Sequence, residues 1–171
     1  FDPAITGGYA GTRYSRFDLA EEMPNPLFED AIIGVTGLSR KQFNNLLAGD
    51  EEIDGKTGSV AIRHLLEQVN VKEDIKALKE DIKTTSKSNL NKVNRRIRYL
   101  QALKANDLDA TAYLMKSVPV MPPIFRPLVF KPSGDVSNND LNFLYRDIAK
   151  VNEEYQNSKD SGVPEEFLGE G

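Results

Sequence analysis

The chain contains no cysteine, no tryptophan and a single histidine, His64. Without thiols there are no disulfides, no thiolate metal sites and no cysteine nucleophile. With one imidazole, HExxH zinc chemistry is excluded and a histidine-based proton relay is not expected. Long apolar runs are missing as well. None approaches the roughly 20 residues needed to cross a bilayer, and no signal-peptide pattern opens the chain, which points to a cytosolic location and no membrane partner. The first residue is Phe1 rather than Met and the last is Gly171, so excision or processing at both ends is expected. Acidic residues are absent from one long stretch: between Lys83 and Lys104 there are none, whereas Lys83, Lys87, Lys92, Arg95, Arg96, Arg98 and Lys104 are basic. From Glu153 onward the sign reverses, with Glu154, Asp160, Glu165, Glu166 and Glu170 against Lys159. A net charge of −4 therefore hides an electrically polarised chain.

What is present is a soluble globular composition, 39% hydrophobic over 171 residues, enough for one domain with a core or for two small lobes. Residues 1–26 read as turns around one short strand, Arg13 to Leu19. Leu27, Phe28, Ile32 and Ile33 recur at helical spacing after Pro26, until Gly34 and Gly37 interrupt them. Ser39 is a natural N-cap for "RKQFNNLLAG", closed by Gly49. The middle is helical. Val60, Ile62, Leu65, Leu66 and Val69 share a face over Thr57 to Val69, as do Ile75, Leu78 and Ile82 over Val71 to Lys83. Leu90, Val93, Ile97, Leu100 and Leu103 continue the pattern to about Asn106, and the polar turn "TTSKSN" makes a helical hairpin the economical arrangement. A short helix is expected from Asp107 to Met115, and a longer one from Asn139 to Ser158. The expected fold class is α+β and mainly α: a helical hairpin with a few short strands, a proline-rich loop and a long C-terminal helix. Four segments follow: 1–56 Gly/Pro-rich with short helices, 57–116 helical, 117–139 proline strap and loop, and 140–171 helix and acidic tail.

Several motifs fail on inspection. In "GDEEIDGKTG", Gly49 lies one residue too far from Gly55-Lys56-Thr57 for a phosphate-cradling loop, and four carboxylates would repel a polyphosphate. Asp50, Glu52, Asp54 and Gly55 match the opening of a calcium loop, but its twelfth position is Ala61, where a bidentate glutamate belongs. "GGYAGT" lacks the preceding buried strand of a dinucleotide fold, and His64 has no second ligand nearby in sequence. No catalytic set emerges. The basic run suits either a solvated helix face or contact with nucleic-acid phosphates, for which Lys92, Arg95, Arg96 and Arg98 are the candidates.

Residues 118–132 hold Pro119, Pro122, Pro123, Pro127 and Pro132, which are expected to fix the backbone in extended geometry and to forbid helix over this stretch. Such a strap needs no ladder of hydrogen bonds to keep its shape. Ser133-Gly134-Asp135 then supplies a flexible turn, and Asn138 or Asn139 can cap the helix beginning near Asp140. "SVPVMPPIFRPLV" followed by "NNDLNFLYRDI" resembles the V-L-P-V-x-P-P-x-x-R-P-L-V and S-D-L-N-D-L-Y-R segments of the largest (β′) subunit of multisubunit DNA-directed RNA polymerases. "TGSVAIRHLLEQVNVKEDIKALKEDIK" is similar to that subunit's T-G-x-x-A-I-x-x-L-L region, "RRIRYLQAL" to its R-x-K-x-L-E-A-F segment and, more loosely, "RYSRFDLAEEMPNPLFE" to its R-x-G-H-I-E-L stretch.

The resemblance implies the clamp of that enzyme: a clamp head, the lid loop and the first clamp helix. The lid of the family lies at the upstream end of the RNA–DNA hybrid and helps part transcript from template. Carried onto this sequence, Pro122, Pro123, Arg126 and Pro127 are the base of the lid. Lys131, Pro132, Ser133, Gly134, Asp135, Val136 and Ser137 are its tip. Asp140, Leu141, Asn142, Leu144, Tyr145 and Arg146 open the clamp helix, with Asn142, Tyr145, Arg146 and Asn152 as its partner contacts. Implied partners are the other polymerase subunits, template DNA, nascent RNA and an initiation factor. The family's zinc ribbon and its N-A-D-F-D-G-D magnesium loop are missing from this sequence, so Mg2+ is expected elsewhere in a full polymerase and no cofactor or metal here. Val151-Asn152-Glu153-Glu154 replaces the Arg-Asn-Asn-Arg run that docks initiation factors in bacteria, and the returning helix is absent; both departures suit a divergent, phage-type polymerase or an excised domain. A stand-alone regulator reusing the clamp module to bind nucleic acid or polymerase, and a purely structural helical adaptor, are the other readings.

Overall fold

Ser39 accepts a hydrogen bond from the Gln42 amide at 3.2 Å, and the Gln42 side chain accepts one from the Ser39 amide at 3.0 Å, a reciprocal capping box. The helix so started runs Arg40–Ala48 and stops at Gly49, whose φ of 79° closes the last turn in the left-handed region. In this computed structural model, which describes residues 13–163, it is α2 of six helices. The others are α1 (Glu29–Thr36), α3 (Gly58–Glu67), α4 (Val71–Asp81), α5 (Lys87–Ala105) and α6 (Asp140–Asp160). The strands are β1 (Ser15–Pro24), β2 (Leu114–Val120), β3 (Val129–Phe130) and β4 (Val136–Ser137); β1 pairs with β2 and β3 with β4. The α+β, mainly helical class expected from the sequence is what the chain adopts. "GGYAGT" and the tail acids Glu165, Glu166 and Glu170 lie outside the described residues.

The described residues form two compact units, one built from 13–20 and 116–163, the other from Glu21–Met115. The larger unit owns the hydrocarbon core. Its α4 and α5 form the expected hairpin, α5 also packs on α1, and α2 packs on α3. Ile32, Val35, Leu46, Ile62, Leu66 and Leu100 are fully buried among them. The Tyr113 hydroxyl donates to the Tyr99 carbonyl at 3.4 Å, and burial raises its phenol above the ordinary value.

Gly34 sets how closely α1 meets α5. A Cβ there would stand 2.8 Å from Cδ2 of Tyr99, inside contact distance. Gly34→Ala gains about 1 kcal/mol of helix propensity but overpacks at a cost of about 1–3 kcal/mol, so a net loss of about 1 kcal/mol is expected in urea unfolding. In a Tyr99→Ala background the same change should instead stabilise.

Three expectations are corrected. The helix expected from Asp107 to Met115 is one 3-10 turn, Ala110–Tyr113, capped by Asp109, after which Leu114 and Met115 enter β2. The strap is not free of a ladder: β2 continues through Pro119 to Val120 while paired with β1. A two-stranded ribbon has an open edge on each strand, so a proline without an N–H is tolerated there. Pro123 then starts a single 3-10 turn, Pro123–Phe125, its missing N–H falling where no intrahelical partner exists. The first strand is also longer than expected, reaching Pro24. "GDEEIDGKTG" folds as a tight hairpin: Ile53 and Lys56 exchange backbone bonds of 2.9 and 3.0 Å, with Asp54 at φ 52° and Gly55 at φ 71°.

Candidate functional site

The smaller unit has little core. Among its described residues Pro122 is the only fully buried large side chain, and α6 buries none. Polar contacts do the holding. The Met121 N–H donates to the Tyr145 hydroxyl at 3.1 Å, and the Met121 carbonyl accepts from Nε of Arg126 at 2.8 Å, so one residue of the strap is held through both of its backbone polar groups. Nη1 of Arg126 donates to Oδ1 of Asn142, and Nδ2 of Asn142 donates to the Arg126 carbonyl at 3.2 Å and to Oδ1 of Asn138. The Arg126 guanidinium also lies 5.6 Å from the Tyr145 ring centroid, a cation–π distance. Asn139 caps α6 by accepting from the Leu141 amide at 3.0 Å, with Asp140 placed favourably in the first turn. The strap thus enters α6 through a closed network.

From this root projects the β3–β4 hairpin, in register Val129 with Ser137 and Phe130 with Val136. Its loop closes through Lys131 N–H to the Asp135 carbonyl at 2.8 Å and Gly134 N–H to the Lys131 carbonyl at 2.9 Å. Gly134 sits at φ 86°, where other residues are strained, and the Ser133 hydroxyl donates to Oδ2 of Asp135 at 2.8 Å. Every residue from Lys131 to Asp135 is exposed. The arrangement is an outward-facing polar finger on a rigid base.

Comparison with known proteins gives this arrangement its context. Over 149 residues, 81% of the chain, it is 31% identical to the DNA-directed RNA polymerase subunit β′ of Acinetobacter baylyi. It is 31% identical over 140 residues to that of Chromohalobacter salexigens, and 32% identical over 127 residues to that of Neisseria meningitidis. The chain belongs to the β′ subunit family of DNA-directed RNA polymerases. It spans about a tenth of the length of these curated relatives, 11%, 10% and 9% respectively. No protein-family model matches it.

Within this β′ relative the sequence-derived candidates divide. Arg126, Asn142 and Tyr145 come together in the network above, so the polar groups of Asn142 and Tyr145 are engaged inside the chain. Arg146 stays at the surface, bonded to Asp147 at 2.8 Å and lying 5.1 Å from the Phe143 ring centroid. Asn152 behaves differently from a surface contact residue. Its Oδ1 accepts from the Ala20 amide at 2.7 Å and its Nδ2 donates to the Asp18 carbonyl at 3.1 Å, clamping α6 to β1. Asn152→Ala should cost about 1–2 kcal/mol in urea unfolding and speed amide exchange at Ala20.

Lys92, Arg95 and Arg96 line one open cleft of the larger unit, and Arg98 is not among its walls. Sequence reasoning named Asn138 only as an alternative cap, where it instead accepts from Asn142, and missed the other side of that cleft, where Arg40 bonds to both Glu29 and Asp30. His64 is half-buried, its Nε2 3.1 Å from Oδ2 of Asp54 and 2.9 Å from the Gln68 amide. Among the described residues no three potential metal ligands converge. No described helix is long and apolar enough to cross a membrane.

Proposed function

We propose that this chain is the lid-bearing clamp portion of a DNA-directed RNA polymerase β′ subunit, which retains template DNA and parts the transcript from the RNA–DNA hybrid. The observation that carries the reading is the exposed Lys131–Asp135 loop on a β3–β4 hairpin whose root is locked to α6 by Arg126, Asn142 and Tyr145. A wedge between two nucleic-acid strands needs that division: a root that resists load and a polar tip that can meet a backbone. The exposed Ile124, Phe125, Leu128, Leu144 and Val151 of the same unit suit coverage by neighbouring polymerase subunits, since apolar surface gains most from burial. Nucleotide addition and its Mg2+ belong to parts of such an enzyme outside this chain. An initiation factor would meet α6 through outward groups such as Arg146, because Asn142 and Asn152 are already committed.

The test places a photoreactive amino acid at Ser133 in the assembled polymerase, on a scaffold with a defined RNA–DNA hybrid. Crosslinks are expected to RNA or template near the upstream end of the hybrid. Crosslinks confined to protein, or to downstream DNA, would remove the lid reading.

A further inference from the structure

The cleft on the larger unit, bounded by α1, the α1–α2 turn, α4 and α5, has a volume of about 560 Å³, the size of a site that takes a small ligand or a few side chains. Ile33, Leu38, Leu78 and Val93 give it an apolar lining, while α5 adds Lys92, Arg95 and Arg96. Gly37, at φ 80°, ends α1 in the left-handed region on this wall, with Nη1 of Arg96 3.4 Å from where a Cβ would stand.

These cations are unequally neutralised. Arg40 is satisfied by Glu29 and Asp30. Arg96 has one distant carboxylate, Oδ2 of Asp74 at 3.8 Å, and its Nε is buried without a hydrogen-bond partner. Native proteins leave few buried donors unpaired, and those that persist call for an explanation. Lys92 and Arg95 are exposed and have no ion pair among the described residues. Unspent positive charge beside a hydrocarbon lining describes the complementary group: carboxylates flanking a bulky apolar side chain.

We propose that this cleft docks an acidic peptide segment of a partner protein, its apolar side chain covering Ile33, Leu38, Leu78 and Val93 and its carboxylates meeting Lys92, Arg95 and Arg96. A phosphodiester backbone fits less well, because it has no apolar group for the lining. The inference uses only the larger unit and stands whether or not the hairpin is a lid.

Fluorescence anisotropy on the full chain tests it, with a short labelled peptide carrying a phenylalanine–leucine pair between glutamates and, separately, a labelled single-stranded oligonucleotide. The peptide should bind, and Lys92→Glu with Arg95→Glu should weaken it by about tenfold or more, as should replacing its apolar pair by alanines. Both substituted residues are exposed, so the melting temperature should hold. No binding, equal binding to the charge-reversed chain, or indifference to the apolar pair overturns the proposal. Binding of the oligonucleotide alone, lost in the same variant, overturns it too and makes the cleft a phosphate site.

Discussion

Arg126→Ala is expected to loosen the junction between strap and α6 more than any other single change in the smaller unit. The substitution leaves the Met121 carbonyl and Oδ1 of Asn142 without the donor they share, and removes the cation above Tyr145. Hydrogen bonds from a charged donor contribute about 1.5–3 kcal/mol each, and partial exposure discounts them, so a loss of about 2–4 kcal/mol is expected. No hydrocarbon core stands behind the network to absorb that loss. Arg126→Lys should recover less than half, because one ammonium cannot span two acceptors in the planar fork geometry of a guanidinium. Amide exchange gives the readout: protection at Met121 and across the first turn of α6 should fall sharply. Unchanged protection would show that the packing of Pro122, rather than the network, secures the strap.

Leu100→Ala should have the largest effect in the larger unit. Leu100 is fully buried in α5, the helix that packs on both α1 and α4. Truncation there removes transfer free energy and opens a cavity that three rigid helices cannot close, at about 2–5 kcal/mol. Urea unfolding followed by circular dichroism measures it, with Leu47→Ala as control. Leu47 is 40% exposed on α2 and should cost well under half as much. A small loss at Leu100 would mean that the helices collapse into the space.

The helical part of the fold was legible because its signals are local. Ser39 and Gly49 mark the two ends of α2, and the three- and four-residue steps from Leu90 to Leu103 mark the buried face of α5. Asp107 to Met115 misled because its apolar spacing fits a short helix, whereas the outcome depends on β1 recruiting Leu114 and Met115 into a ribbon. The strap misled for a related reason: its prolines suggest a shape held without a ladder, but an edge strand accepts a residue with no N–H to give. At the site, sequence could point to Arg126, Asn142 and Tyr145 yet not join them, since their bonds span 16 and 24 positions from strap to helix. It could name Lys92, Arg95 and Arg96 but not the cleft they line, because Arg40 and the glycines opposite lie more than fifty positions earlier in the chain.

The Asn152 amide has a consequence for association. One edge of β1 is occupied by β2, and a strand in a two-stranded ribbon keeps its other edge open to pairing with a foreign chain. By presenting one acceptor to Ala20 and one donor to Asp18, Asn152 imitates a single rung of a neighbouring strand. The helix thereby plugs with a side chain the place where a second copy, or a misfolded neighbour, would otherwise add its backbone.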